Sequence, residues 1–362
     1  MIQPKSKLVH NFSAGPCILP NEVLIQSAQA CVDFEGTGLS ILEMSHRSKE
    51  YIPVMENAIN LVRELLQVPS DYAILFLQGG ASLQFTMLVQ NLLPVNGKAD
   101  YINTGTWATK AIEEAKLFGE IDVIASSEDK NFNYIPKNYT IDPNASYLHI
   151  TTNNTIFGTQ YQEFPNSPIP MVADMSSDIF SKKIDVSKFD LIYAGAQKNM
   201  GPAGATLVIV KKSCLGKTSR VIPSMLQYQT HIDGESMFNT PPCFSVYVSM
   251  LTLQWLKKLG GVEAIEKINN HKAEILYKEI DRNTLFEGTA AVEDRSKMNV
   301  TFVLKNKDLE KEFLKLADER ELSGLKGHRS VGGFRASIYN ALPLESVEAL
   351  IDAMQYFEKQ YA

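Results

Sequence analysis

The stretch LIYAGAQKNMGPAGATLVIV, residues 191–210, decides the fold. Two short apolar runs, residues 191–194 and 205–210, flank a loop of small residues that contains a single lysine, Lys198. Short apolar runs bounded by glycine are typical of strands that are buried on both faces of a sheet. The stretch therefore predicts two buried strands separated by a loop in which an amine has room around it.

Five further apolar runs precede this stretch and complete a predicted set of seven strands. They cover residues 72–77, 99–102, 121–125, 146–150 and 170–173. Helical spacing is found at residues 20–34, 48–68, 81–93 and 107–118. We expect Gly36-Thr37-Gly38 to end the first of these helices. The pattern predicts an α/β fold in which helices cover both faces of a mainly parallel seven-stranded sheet.

The pattern changes after residue 210. We interpret residues 211–240 as a long polar loop that ends at a Pro-Pro pair. Two long helices, two strands and two more helices are predicted to follow, at residues 244–259, 262–282, 299–304, 308–321, 334–337 and 344–360. These elements suffice for a smaller C-terminal α/β domain. We therefore predict a large domain over residues 17–260 and a small domain over residues 261–362 that includes residues 1–16.

Composition narrows the possible partners. The 362 residues include 35 Lys and Arg against 41 Asp and Glu, a net charge of -6. A chain without an overall basic field is not suited to hold nucleic acid or an anionic membrane. We expect neither as a partner, although a small anionic substrate responds to local charge and is not excluded.

Cysteine usage and the lengths of the apolar runs indicate the cellular setting. The four cysteines, Cys17, Cys31, Cys214 and Cys243, are isolated, which predicts reduced thiols and no zinc site. No apolar segment approaches the roughly 20 residues of a membrane span, and the polar start does not resemble a secretion signal. We expect a cytoplasmic protein without a bound metal.

Four features follow predicted strands, where open parallel sheets bind ligands. They are Gly79-Gly80 before a helix, Trp107 at the start of the next helix, Asp174 and Lys198. Each has an ordinary alternative: a bare turn, a core aromatic, a helix cap and a solvated loop lysine. Together they provide a phosphate site, a stacking ring, a partner for a ring cation and an amine for an imine. Those are the parts that bind pyridoxal phosphate.

Longer motifs extend this pattern. They are NFSAGP (11–16), SHRSKE (45–50), FLQGGAS (76–82), YAGAQKN (193–199), MFNTPP (237–242) and KGHRSVGGFRAS (326–337). In these motifs and in their order the chain resembles the phosphoserine aminotransferase group of the class V aminotransferase family. These are fold-type I enzymes that use pyridoxal 5'-phosphate, and the resemblance extends from one end of the chain to the other.

The resemblance implies roles around the cofactor ring. Lys198 would hold the cofactor as a Schiff base and move a proton between the substrate's α-carbon and the cofactor's aldehyde carbon. Asp174 would pair with the pyridinium nitrogen and keep it protonated. Trp107 would stack on the ring, and Thr155 would bond its phenolic oxygen.

The resemblance also implies a shared phosphate site. Ala81, Ser82 and Gln197 would hold the cofactor phosphate from one subunit. Asn239 and Thr240 would reach the same phosphate from the neighbouring subunit. The active site would then require a homodimer.

Cationic residues form the expected substrate site. An amino acid with both a carboxylate and a phosphate needs several cationic donors, and the planar fork of arginine matches both anions. The sequence has two His-Arg pairs, His46-Arg47 and His328-Arg329, with Arg335 close behind the second. By resemblance Arg335 would bind the α-carboxylate, and the two pairs would bind the phosphate or the glutamate side chain.

One position departs from the family pattern. Some members have arginine where this chain has Ser82, and there the arginine adds charge to the substrate-phosphate pocket. Here we expect His46 and the His328-Arg329 pair to carry more of the recognition. Which subunit provides each of them stays open.

The reaction implied is transfer of the amino group from L-glutamate to 3-phosphohydroxypyruvate, which yields 2-oxoglutarate and O-phospho-L-serine in L-serine biosynthesis. The analogous step of pyridoxine biosynthesis is a further possible use. Two alternatives share the fold and the lysine: another small-amino-acid aminotransferase, and a cysteine desulfurase that would use Cys243. A non-catalytic binder of phosphate esters is a third alternative, but it gives Lys198 and Asp174 no role.

Overall fold

The computed structural model describes residues 7–329 and 331–362. Residues 1–6, part of the segment assigned above to the small domain, and Ser330 of the KGHRSVGGFRAS motif lie outside the described residues. The strands, numbered along the described chain, are β1 (His10–Asn11), β2 (Tyr72–Leu77), β3 (Lys98–Asn103), β4 (Glu120–Ser126), β5 (Leu148–Thr151), β6 (Met171–Asp174), β7 (Leu191–Gly195), β8 (Thr206–Lys211), β9 (Phe286–Gly288), β10 (Asn299–Leu304), β11 (Leu322–Ser323) and β12 (Phe334–Ser337).

The helices carry the apolar faces that cover these strands. They are α1 (Asn21–Val32), α2 (Ile52–Leu65), α3 (Gly80–Leu92), α4 (Thr106–Ala115), α5 (Tyr228–Asp233), α6 (Cys243–Lys258), α7 (Gly261–Arg282), α8 (Glu310–Glu319) and α9 (Leu344–Tyr361). Within the described residues, none of these helices has both the length and the apolar content that a membrane crossing requires.

The main sheet has seven strands in the order β2-β8-β7-β6-β5-β3-β4. Its neighbours are parallel except where β8 lies antiparallel between β2 and β7. The predicted mainly parallel sheet is confirmed, because continuous apolar runs such as residues 206–210 are buried on both faces.

Helices cover both faces of this sheet. On one face α1, α2 and α6 provide buried residues such as Val23, Val62 and Leu253. On the other face α3 and α4 provide residues such as Leu88 and Ile112. The carboxyl ends of β3, β5, β6 and β7 are left for the loops that carry the candidate site residues.

A second, separate core lies in the C-terminal part of the chain. The antiparallel sheet β12-β10-β9 packs with α8 and α9 around buried aromatic residues, among them Phe286, Phe313 and Phe334. Strand β1 near the N-terminus pairs with β11, and Phe12 belongs to the same core. The N-terminal segment is thus packed with the C-terminal part of the chain.

Two expectations about the connections were wrong. Helix α1 ends at Val32 with Asp33 in extended conformation, and Gly36 and Gly38 lie in the turn beyond it, where the Asp33 carboxylate accepts a hydrogen bond from the Gly38 N–H. Residues 211–240 are also not all loop. They contain α5, whose Tyr228 is fully buried and donates a hydrogen bond to Gln84 Oε1 at 2.6 Å.

Candidate active site

Lys198 is the centre of the candidate site. Its Nζ donates a hydrogen bond of 2.9 Å to Thr155 Oγ1 and lies 5.8 Å from the centre of the Trp107 ring. The loop after β7 carries Lys198, residues beyond β5 carry Thr155, and Trp107 stands in the first turn of α4. Three predicted site residues therefore meet at the carboxyl edge of the sheet.

Burial lowers the pKa of the Lys198 amine. The Asp174 carboxylate acts in the opposite direction, and the Arg335 guanidinium lowers the pKa further. A lowered pKa makes the neutral, nucleophilic amine more available at neutral pH. The amine is thus suited to attack a carbonyl carbon.

The N-terminal loop that contains Gly15 lies against Lys198. A Cβ on Gly15, whose φ is +139°, would meet the Gln197 carbonyl oxygen and Lys198 Cγ at 3.4 Å. The Cys17 N–H donates a hydrogen bond to the Gln197 carbonyl at 3.1 Å, and the Tyr339 hydroxyl donates one to the Ala14 carbonyl at 2.8 Å. Glycine at position 15 allows the positive φ that brings this loop against Lys198.

Asp174 is the last residue of β6, whereas the sequence predicted that the strand ends at residue 173, directly before it. Burial raises the pKa of its carboxyl, whereas the charge of Lys198 and hydrogen bonds from Ser176 and Tyr193 lower it. The Ser176 N–H donates to Asp174 Oδ1 at 2.9 Å. The carboxylate is held in place and can pair with a cation.

The start of α3 has the features of an anion site. Gly79 and Gly80 both have positive φ, and a Cβ on Gly79 would lie 2.5 Å from the Leu83 side chain. Ala81 is half-buried and Ser82 exposed in the first turn of this 13-residue helix. The free N–H groups and the dipole of a helix N-terminus bind phosphate. Gln197, next to Lys198, is half-buried.

Arg335 on β12 brings the second core to the same site. Its Nη1 donates to the Thr155 carbonyl oxygen at 3.3 Å, so Thr155 contacts both Arg335 and Lys198. The buried Nε of Arg335 has no hydrogen-bond partner among the described residues. Burial lowers the pKa of His328, and so do the charges of Arg335 and Arg329. The two guanidinium groups therefore lie close enough to His328 to disfavour its charged form.

The first His-Arg pair is not brought to Lys198. Among residues 7–329 and 331–362, no hydrogen bond, ion pair or ring contact joins His46 or Arg47 to Lys198 or Arg335. His46 is buried and Arg47 exposed. Burial and the neighbouring Arg47 lower the pKa of His46.

Asn239 and Thr240 lie near the start of α3 of their own chain. Gln78 Nε2 donates a hydrogen bond to the Thr240 carbonyl at 2.7 Å, and Asn239 lines a small cavity together with Gln78. The Thr240 side chain is exposed. The backbone of this segment is anchored, while its side chains remain available at the surface.

The site fits pyridoxal phosphate on the observations of this structure. The half-buried Lys198 amine matches an aldehyde, and the buried Asp174 carboxylate matches a ring nitrogen. The Trp107 indole matches a planar ring, and the glycine start of α3 matches a phosphate. The buried Trp107 Nε1 has no hydrogen-bond partner among the described residues and is a further free donor.

A comparison with family models matches residues 9–350 to the class-V aminotransferases. The chain belongs to the class-V aminotransferase family. The resemblance inferred from the motifs is confirmed, and the protein is an aminotransferase whose cofactor is pyridoxal phosphate. The fold-type I architecture is confirmed as well.

Relatives of this class-V aminotransferase share nearly its whole length. It is 64% identical to the phosphoserine aminotransferase of Flavobacterium psychrophilum, over 97% of this chain and 99% of the relative. The solved phosphoserine aminotransferase from Bacillus circulans subsp. alkalophilus is 45% identical, with a TM-score of 0.96 and coverage of 99% and 100%. The pyridoxal-phosphate-bound enzyme of Trichomonas vaginalis is 36% identical, with a TM-score of 0.92 and coverage of 96% and 100%.

Sequence reasoning missed three residues at the site of this class-V aminotransferase. Ser176 and Tyr193 hold Asp174, and Lys110 Nζ lies 5.1 Å from the centre of the Trp107 ring. Lys110 could have been found, because a residue three positions after Trp107 on a helix lies beside it. Tyr193 stood in a quoted motif, but its contact depends on how β6 and β7 are aligned.

Proposed function

We propose that this enzyme transfers the amino group of L-glutamate to 3-phosphohydroxypyruvate, reversibly, and forms 2-oxoglutarate and O-phospho-L-serine. The phosphoserine aminotransferases of Flavobacterium and Bacteroides species, 58–64% identical to this chain, support the assignment. L-serine biosynthesis is the corresponding pathway role, and the analogous step of pyridoxine biosynthesis is included in the proposal as a second use.

The observation that carries the proposed site is the convergence of three ionisable side chains, of which Asp174 is buried and Lys198 and Arg335 are half-buried. The Lys198 amine lies close enough to the Asp174 carboxylate and the Arg335 guanidinium for both to alter its pKa. An amine for a carbonyl, a carboxylate for a ring nitrogen and a guanidinium for a substrate carboxylate meet within one site.

Each residue has a task in this proposal. The cofactor, when bound, withdraws electrons from the substrate's α-carbon. Lys198 would hold the cofactor at its aldehyde carbon. Once the substrate's amino group had replaced it there, the freed amine would move a proton from the substrate's α-carbon to that former aldehyde carbon. Asp174 stays ionised and keeps the ring nitrogen protonated. Trp107 stacks on the ring, and Thr155 bonds the phenolic oxygen.

Two groups hold the phosphates and carboxylates. The N–H groups of Ala81 and Ser82, with Gln197, hold the cofactor phosphate at the start of α3. Arg335 binds the α-carboxylate through its fork. His328 and Arg329 provide positive charge for the substrate phosphate or the glutamate side chain, which the exposed Ser82 does not provide.

The proposed assembly is a homodimer. Asn239 and Thr240 reach the cofactor phosphate of the neighbouring subunit, and His46 and Arg47 complete the cationic site across the interface. The exposed Thr240 side chain and the absence of a contact from His46 to Lys198 within the described chain support this arrangement. Phe238 beside Asn239 is 47% exposed, as expected for a residue at a subunit interface.

The domain division and the cellular location are also proposals. Gly260 and Gly261, both with positive φ, separate α6 from α7, and we place the boundary between a large domain (17–260) and a small domain (261–362 with 1–16) there. Helix α7 packs Ile265 in the core of the sheet and Leu276 in the second core. The free thiols of all four cysteines are consistent with the cytoplasm.

The desulfurase alternative finds no support in the cysteines. Burial raises the pKa of Cys243, which opens α6. The cysteine closest to the centre of the site is Cys17, whose thiol donates to the Lys198 carbonyl and whose pKa burial raises to about 12. A protonated, hydrogen-bonded thiol is a poor nucleophile.

A two-step experiment tests the proposed function. Holoenzyme receives L-glutamate without an amino acceptor, and we expect one 2-oxoglutarate per chain. After unreacted glutamate is removed, addition of 3-phosphohydroxypyruvate should release one O-phospho-L-serine per chain, as a ping-pong reaction requires. Lys198→Ala should give neither product. Sulfide release from cysteine, or no 2-oxoglutarate from glutamate, would contradict the proposal.

A further inference from the structure

A row of buried polar side chains lies behind Asp174 on one face of the main sheet. The register pairs Asp174 of β6 with Tyr193 of β7, and pairs His149 of β5 with Val172 of β6. Residues two apart in a strand share a face, so the side chains of His149, Asp174 and Tyr193 are on the same side of the sheet. Tyr101 of β3 pairs with His149 and extends the row.

The side chains of this row contact one another. His149 Nε2 and the Tyr193 hydroxyl are 2.9 Å apart, and the Tyr193 hydroxyl also interacts with the Asp174 carboxylate. The Tyr101 ring is stacked on the His149 ring, with centres 4.7 Å apart and planes 17° apart. His149, Tyr193 and Tyr101 are completely buried, and Asp174 is 5% exposed.

The donors in this row can be ordered from the chemistry of its ends. Asp174 and Tyr193 are paired neighbours on one face of the sheet, and the hydroxyl lowers the pKa of the carboxyl as a donor does. Because an ionised Asp174 can only accept, we assign the single proton of that hydroxyl to the side facing the carboxylate. The Tyr193 hydroxyl oxygen is then free to accept a hydrogen bond. His149 Nε2 must therefore be protonated and donate that hydrogen bond. Burial lowers the pKa of His149 to about 3, so the imidazole is neutral and its Nδ1 is unprotonated.

The surroundings of Nδ1 agree with this order. Among the described residues Nδ1 has no hydrogen-bond partner. A buried lone pair without a partner is the less costly choice than a buried N–H without an acceptor. The row therefore runs from His149 Nε2–H to the Tyr193 hydroxyl to the Asp174 carboxylate.

We propose that Tyr193, oriented by His149, is a positioning residue that holds Asp174 ionised beside the cofactor's ring nitrogen. The proposal rests on the pairing of Asp174 with that nitrogen in the proposed function. Removal of the Tyr193 hydroxyl would leave a buried carboxylate with one donor fewer and favour its neutral form. The ring nitrogen would then lose its anionic partner.

The test measures the ring nitrogen itself. Holoenzyme is prepared with pyridoxal phosphate carrying ¹⁵N in the ring, and the ¹⁵N chemical shift is recorded by solid-state NMR. Tyr193→Phe should move the shift toward that of an unprotonated pyridine and weaken cofactor binding about tenfold, the effect of one hydrogen bond to a charged group. His149→Leu should move the shift in the same direction by less.

Two further variants separate positioning from packing. His149→Gln keeps an N–H donor and should restore the wild-type shift. Tyr101→Phe also removes a buried hydroxyl, one that is 2.9 Å from the Tyr147 hydroxyl, but it leaves the row to Asp174 intact. It is the matched control and should leave the shift unchanged. An equal movement in Tyr101→Phe would overturn the proposal.

Asp174→Asn distinguishes failure of this inference from failure of the proposed site. If Asp174→Asn moves the shift and neither Tyr193→Phe nor His149→Leu does, the pairing stands and the role of Tyr193 is wrong. If Asp174→Asn leaves the shift at the wild-type value, the pairing itself is wrong. If Tyr193→Phe does not fold, His149→Leu against His149→Gln decides the question alone.

Discussion

Asn340 and Asn199 join the two cores of the molecule beside the active site. The Asn340 N–H donates a hydrogen bond of 3.0 Å to Asn199 Oδ1. Asn199 follows Lys198, and Asn340 lies three residues beyond β12, the strand of Arg335. The Asn199 side chain also donates to the Ser177 carbonyl at 3.2 Å. This contact links the position of the amine to that of the guanidinium.

Asn199→Ala should therefore loosen the geometry of the site. We expect kcat/KM for L-glutamate to fall about tenfold, because small displacements between reacting groups are costly. The loss of the three buried hydrogen bonds of the Asn199 side chain, the third of them to Met298 Sδ, should also lower the melting temperature. Steady-state kinetics and thermal unfolding measure the two effects. Asn144→Ala, in an exposed turn, is the control. An unchanged kcat/KM in Asn199→Ala would show that this contact does not position the amine relative to the guanidinium.

Arg335→Lys tests recognition of the α-carboxylate. Glutamate and phosphoserine both carry this group, so kcat/KM should fall for both by a similar factor, roughly 10- to 100-fold, when the bidentate fork is lost. His328→Gln should instead change the ratio of kcat/KM between the two substrates, because only their distal anions differ. If Arg335→Lys changed the ratio of kcat/KM between the two substrates, Arg335 would bind the distal anions and not the α-carboxylate.

Lys272 is expected to stabilise the folded protein. This fully buried lysine of α7 donates to the carbonyls of Ile338, Tyr339 and Leu342 at 2.8–3.1 Å, in the segment that follows β12. Lys272→Met removes three buried hydrogen bonds, although the Tyr339 carbonyl keeps the Leu342 N–H as a donor. We expect a loss of about 2–5 kcal/mol in the free energy of unfolding.

Urea unfolding measures the effect of this substitution. Lys278→Met, at an exposed position of the same helix, is the matched control and should change the free energy of unfolding by less than about 0.5 kcal/mol. Equal stabilities of the two variants would show that the three hydrogen bonds contribute little.

The buried His149 should make the free energy of unfolding depend on pH. Burial lowers its pKa from 6.5 to about 3, so between these values the unfolded chain binds a proton that the folded chain does not. The stabilising contribution of the neutral histidine is complete above pH 6.5 and is lost as the pH falls toward 3. The slope of this contribution is at most about 1.4 kcal/mol per pH unit.

Urea unfolding between pH 4.5 and pH 7 measures that slope. His149→Gln cannot bind the proton in either state, so its free energy of unfolding should depend less steeply on pH than that of the wild type. His271→Gln, at an exposed position of α7, is the matched control and should keep the wild-type dependence. Identical slopes for His149→Gln and the wild type would show that the folded state also takes up this proton.

The sequence predicted the sheet because its signal is local. Buried runs such as residues 72–77 and 206–210 must be apolar along their whole length, and each is visible without knowledge of its neighbours. Helix α5 was missed because its six residues are too few to show a helical period, and its anchor Tyr228 packs against residues far away in the chain.

The site was predictable where function depends on the end of a strand. Lys198, Asp174 and Trp107 follow or end strands, and the topology of parallel sheets brings such positions together. Tyr193 and His149 depend on the alignment of β5, β6 and β7, which no single strand encodes. In the proposed homodimer His46 and Arg47 complete the site across the interface, and no local sequence pattern indicates such a contact.

Attachment of the cofactor to Lys198 is tested most directly by reduction of the holoenzyme with sodium borohydride, proteolysis and mass spectrometry of the peptides. We predict one reduced cofactor per chain, on the peptide that contains Lys198, and none on Lys198→Ala. Label on a different lysine, or an unlabelled Lys198 peptide in an enzyme that binds the cofactor, would contradict the proposed active site.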